Sequence, residues 1–134
     1  MGIKTELEEA FDFDIVDEFL DHFSLMCDSM EIMVLDLSKD EMYRRSVNEL
    51  FRVFHNIKSA SGYLKLESVH RLAALVEDVL EVLRQKEDHA NQETIDWLLQ
   101  ISDMFTQWNK DFNQDQPLSK VKFSLLKLPD LDAK

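Results

Sequence analysis

The chain is poor in the residues that make turns and cross-links: of 134 residues, one is cysteine, two are glycine and two are proline. A lone Cys27 forms no internal disulfide. So little Gly and Pro leaves few tight turns for a multi-stranded sheet, and every pronounced apolar pattern has a helical period, which favours an all-α domain. There is no charged-then-apolar leader and no 18-residue apolar run. Glu6 stands where a myristoylation signal has Ser or Thr. No membrane insertion or lipid anchor is expected, and a cytoplasmic location fits. Neither a Gly-x-Gly nor a Gly-x-x-x-x-Gly-Lys loop occurs, so no known phosphate cradle is available and no ATP site of its own is expected. No Gly-rich elbow supports a nucleophilic Ser, and Cys27 falls within an apolar seam, which argues against hydrolase chemistry.

Positive charge is scarce as well. Lys and Arg number 15 against 27 Asp and Glu, a net charge of −12 that argues against nucleic acid and anionic membranes as partners. From Thr5 to Ser38 there are eleven acidic residues and no Lys or Arg, whereas Arg44 to Arg71 holds six basic residues and two acidic ones. The one strongly positive stretch is centred on His55.

What is present is enough apolar material, 45% of residues, to bury a core in one domain. Four amphipathic segments are predicted. The first runs from about Asp12 to Leu37 with Val16, Phe19, Phe23, Met26, Met30, Met33 and Leu37 on one seam. Ser38-Lys39-Asp40-Glu41 has the form of a capping box and opens a second helix reaching Leu64, its seam being Tyr43, Val47, Leu50, Phe54, Ile57, Ser61 and Leu64. The third carries Val69, Leu72, Val76, Val79 and Leu83 and ends in the cations Arg84 and Lys86. The fourth starts near Asn91, carries Ile95, Leu98, Ile101, Phe105, Trp108 and Phe112, and stops before Pro117. Short connections between four such helices imply an antiparallel up-and-down four-helix bundle over residues 1–116, with a short extra helix before Phe11. Residues 117–134 fit neither period and are net basic, a tail that packs on the bundle or a linker to something else.

The second helix sets Phe51, Arg52, His55, Lys58, Ser59 and Gly62 on one stripe, opposite its apolar seam. An exposed imidazole is a good nucleophile near neutral pH. Lys58, one turn along, is placed to neutralise a phosphoryl group on the ring. Ser59 and Gly62 leave a shallow floor beside Phe51, an arrangement suited to a partner surface with Phe51 as anchor and Arg52 and Lys58 at the rim. A di-metal bundle needs a Glu-x-x-His on each of two helices. Glu67 and His70 make one such pair, and His22 and His89 lack the Glu, so no metal site and no cofactor are expected.

The run His55-Asn56-Ile57-Lys58-Ser59-Ala60-Ser61-Gly62-Tyr63-Leu64 resembles the signature of histidine phosphotransfer (HPt) domains. The following stretch from Leu64 to Leu80, and the opening Ile15-Val16-Asp17-Glu18-Phe19-Leu20, are similar to the form found at the N-terminus of chemotaxis histidine kinases. The resemblance spans about Asp12 to Arg84, and Lys65 departs from it where the family usually has Gly. It implies a phosphoryl carrier in a two-component phosphorelay rather than an enzyme. His55 would accept a phosphoryl group and exchange it with an aspartate of a response-regulator receiver domain, with a histidine kinase as the other partner. It further implies that Lys58 stabilises the phosphoryl group and that Glu77, on the next helix, orients the His55 ring. A module of the same fold that binds receiver or kinase without being phosphorylated is the alternative.

Overall fold

The computed structural model describes residues 2–87 and 89–132. It is all-α, with α1 (Ile3–Ala10), α2 (Phe13–Leu35), α3 (Asp40–Tyr63), α4 (Glu67–Arg84) and α5 (Gln92–Asn113), and no strand among the described residues. Helices α2 to α5 form the antiparallel up-and-down bundle, in which α3 packs most extensively on α4 and α2 on α5, while α1 lies against α2 and α5. Among the described residues no helix is long and apolar enough to cross a membrane.

The seams of α3, α4 and α5 expected from the sequence are all buried. In α2 the same holds except at Met33, which is half-buried while Val34 takes the core position. A strict alternation of three and four averages 3.5 residues and drifts around a helix of 3.6 per turn, so over 23 residues the last apolar pair changes places. Aromatic rings knit α2, α3 and α5 together: Phe23 meets Phe112 edge-on at 5.3 Å, and Phe54 meets Phe105 edge-on at 5.2 Å. Such pairs add ~0.5–1.5 kcal/mol to the burial itself. Locking Phe54 inward turns its neighbour His55 to solvent.

The helix ends show one departure from the expected capping and one explanation for an odd residue. Ser38 does not cap α3. It belongs to a short 3-10 turn, Asp36–Ser38, and its hydroxyl donates to the Leu35 carbonyl at 2.9 Å, so Lys39 occupies the cap position without a side-chain bond. Asn91 does cap α5, accepting from the Thr94 N–H. Helix α3 closes in a Schellman motif, with Leu66 N–H on the Ser61 carbonyl and Lys65 N–H on that of Gly62. That motif needs a left-handed residue, and Lys65 supplies it with φ of 59°. This is the position at which a Gly was expected and is the physical reason for one.

Residues 117–132 pack on the bundle. The Trp108 and Trp97 indole N–H groups donate to the carbonyls of Ser119 and Leu125, Leu125 is buried, and Asp111 accepts from both the N–H and the hydroxyl of Ser119.

Candidate functional site

The site lies where α3 and α4 run side by side. Close approach is allowed by small side chains: Ser61 and Ala73 are fully buried, and Gly62 lies beneath the His70 ring, where a Cβ would stand 3.1 Å from the His70 Nδ1. As α3 advances from Phe51 through His55 to Gly62, its partners on α4 retreat from Arg84 through Glu77 to His70, in steps of seven residues. Seven residues are two turns, so all three α4 side chains fall on one face.

At the middle of this register, Glu77 bridges two residues of α3. One carboxylate oxygen accepts from His55 Nδ1 at 2.9 Å and the other from Lys58 Nζ at 2.7 Å. A carboxylate only accepts, so in the neutral ring the His55 proton resides on Nδ1 and the lone pair on Nε2. The His55 side chain is 54% exposed and that of Glu77 13%, so the orienting group is sheltered while the ring reaches solvent. Partial burial pushes the Glu77 carboxyl up, but the hydrogen bonds from Lys58 and His55 outweigh it and hold the carboxyl below its usual range. Glu77 is therefore ionised at neutral pH. The arrangement offers an imidazole nitrogen with its nucleophilic face outward and an ammonium one turn away.

The remaining stripe residues divide to the two sides of His55. Phe51 is partly buried, packed on the edge of the core rather than bare, with its ring 9° from the His55 plane at 6.2 Å and the Arg84 guanidinium 4.5 Å from its centroid. Arg52 is exposed and makes no ion pair among the described residues. Ser59 is exposed and lines a groove between α2 and α3 with Ile15, His22, Ala60 and Tyr63. Gly62 is exposed on the α4 side.

Two residues that sequence reasoning did not assign stand in this register. His70 donates from Nδ1 to the carbonyl of Lys58 at 2.8 Å, tying the first turns of α4 to the residue that bears the ammonium. Arg84, read only as a cation at a helix end, covers Phe51 and pairs with Glu81. The signal was the heptad: once His55 is set against Glu77, the positions seven before and seven after fall on the same face. His22 borders the groove and His89 meets Asp40 at 2.9 Å. Among the described residues no three His, Cys, Asp or Glu side chains gather as a metal site.

Comparison with known proteins places the chain in a family. The sequence matches the family model described as "Hpt domain" over residues 14–111. Among curated proteins it is similar to the chemotaxis protein CheA of Borreliella burgdorferi, with 24% identity over 91 residues, which is 68% of this chain and 10% of that protein. The chain thus spans about a tenth of the length of this relative. No solved structure matches the chain significantly.

Proposed function

The chain belongs to the Hpt domain family, a phosphotransfer module of two-component signalling, and on that premise we propose that it carries a phosphoryl group on His55 between a histidine kinase and the aspartate of a receiver domain. The observation that supports this reading is the Glu77 bridge, which leaves His55 Nε2 with its lone pair toward solvent and Lys58 one turn along.

In the proposed exchange the Nε2 lone pair attacks the phosphorus of the donor, and the donor's P–O bond breaks with its electron pair leaving on oxygen. The ring then carries positive charge, and the Glu77 carboxylate, still accepting from Nδ1–H, stabilises it. Lys58 faces the phosphoryl oxygens. In the second step a receiver carboxylate oxygen attacks the phosphorus, the N–P bond breaks and its electron pair returns to Nε2. Activation of the partners' reacting groups is left to the partners, because the carrier supplies position and charge only. Arg52, Ser59 and Gly62 are proposed to contact the receiver, with Phe51 beneath Arg84 supporting that surface.

The test is incubation of the purified chain with a panel of kinase and receiver domains from the same organism. An acid-labile, alkali-stable label that appears only with a kinase and is discharged by a receiver is expected. Incorporation from ATP and Mg²⁺ alone would refute the carrier assignment.

A further inference from the structure

One turn before His55 on α3, Asn48, Phe51 and Arg52 join Arg84 of α4 around a surface depression of about 340 Å³. Its polar lining consists of two guanidiniums and one amide, with no carboxylate among the lining residues. In a chain of net charge −12 this is an unusual concentration of hydrogen-bond donors. The depression has a built floor: the Arg84 guanidinium lies 4.5 Å from the Phe51 centroid, and Phe51 stacks in turn on His55. Glu81 takes only one of the Arg84 N–H groups, at 3.1 Å, which leaves the fork with donors in hand. Arg52 has no ion pair among the described residues.

We propose that Asn48, Arg52 and Arg84 form an oxyanion-recognition pocket that takes a carboxylate side chain on the receiver domain docking at His55. The inference rests on the phosphoryl exchange proposed above. The direction of transfer separates this occupant from the phosphates of a nucleotide. His55 Nδ1 faces Glu77 on α4, so Nε2, on the other edge of the ring, points away from α4. In an in-line displacement the leaving group departs along that outward axis. The pocket lies on the α4 side, walled by Arg84, and therefore flanks the reacting atoms instead of continuing their line. A group held there belongs to the rim of the docked partner. The volume is ample for a whole acidic side chain, and a planar guanidinium pre-set on an aromatic face suits bidentate binding of a carboxylate.

The test uses the full chain and the receiver from the organism's panel that accepts phosphate fastest. Carriers with Arg52→Ala, Arg84→Ala, Arg84→Lys and Asn48→Ala are first labelled chemically with phosphoramidate, which needs no protein partner. This step loads His55 without a kinase, and the loaded fraction of each variant is measured before transfer, so that the transfer kinetics are read on phosphorylated carrier alone. In transfer to the receiver, Arg84→Ala and Arg52→Ala should each raise KM on the order of tenfold with kcat nearly unchanged. They should also flatten the salt dependence, and Arg84→Lys should restore only part of the loss. Arg52 is exposed, so its variant keeps the test valid if Arg84→Ala loosens the fold. Wild-type KM values in both arginine-to-alanine variants would overturn the pocket and leave the exchange at His55 standing. Normal transfer to the receiver combined with slowed labelling by kinase and ATP would also overturn it, by assigning the anion to the phosphodonor. Failure of the labelled wild type to discharge to any receiver would instead refute the exchange itself.

Discussion

Replacing Glu77 by Gln keeps the shape of the side chain and removes what the bridge depends on. The native carboxylate accepts at both oxygens, from His55 Nδ1 at 2.9 Å and Lys58 Nζ at 2.7 Å. An amide has one acceptor. If its oxygen faces Lys58, its NH₂ faces His55, which must then present a lone pair at Nδ1 and carry its proton on Nε2, where the nucleophile should be. If the amide turns round, NH₂ faces an ammonium, donor against donor. Either way one charge-assisted bond is lost, worth about 1.5–3 kcal/mol. That corresponds to roughly ten- to hundredfold in rate, the scale found for groups that orient a reactive histidine. The expected result is phosphorylation by the kinase slowed ten- to hundredfold, with imidazole ¹H–¹⁵N spectra showing the proton moved from Nδ1. Stability at pH 7 should fall by only about 1 kcal/mol, because His55 is half in solvent. The Glu77 carboxyl titrates lower in the folded chain than in the unfolded one, so its contribution is complete above its ordinary value of 4.5 and is lost as pH falls through the folded value. The stability difference between wild type and variant should accordingly shrink in acid. An unchanged rate together with an unmoved Nδ1 proton would show that Glu77 does not set the tautomer of His55.

Other perturbations probe the frame around the site. Lys65→Gly, at φ of 59°, should stabilise the chain by about 1 kcal/mol in a urea melt, and a loss of stability would contradict the left-handed assignment. Gly62→Ala should gain nothing in the wild type, since the new Cβ presses on a His70 ring held by the Lys58 carbonyl; in a His70→Ala background the same change should stabilise by about 1 kcal/mol through helix propensity. Equal effects in the two backgrounds would show that the ring and the glycine do not meet. Deleting residues 117–134 exposes the site of buried Leu125 and removes the acceptors of two indole N–H groups, so unfolding should become easier by about 3 kcal/mol or more; an unchanged melt would make that segment a mere linker.

Much of this was written in the sequence because burial in a bundle is periodic. The seams of α3, α4 and α5 followed from spacing alone, and His55 faced outward because Phe54 and Ile57 face in. The Glu77 position came from family resemblance, since spacing within one helix says nothing of which residue on another helix lies opposite. His70 and Arg84 went unassigned for the same reason: their meaning appears only when the register of α3 against α4 is fixed. The Ser38 capping box misled because its hydroxyl had a nearer acceptor, the Leu35 carbonyl at the end of α2. The tail's packing was illegible for a further reason. It is fastened by the main-chain carbonyls of Ser119 and Leu125, and any sequence has carbonyls.

His55 is the proposed phosphoryl acceptor, and His55→Gln removes its nucleophilic nitrogen while keeping a polar side chain on the exposed face of α3. With the cognate kinase, ATP and Mg²⁺, the wild type should take up an acid-labile, alkali-stable label that a receiver removes, and the variant should keep its helical circular dichroism while taking up none. Label persisting on the His55→Gln chain would place the phosphoryl group on another residue.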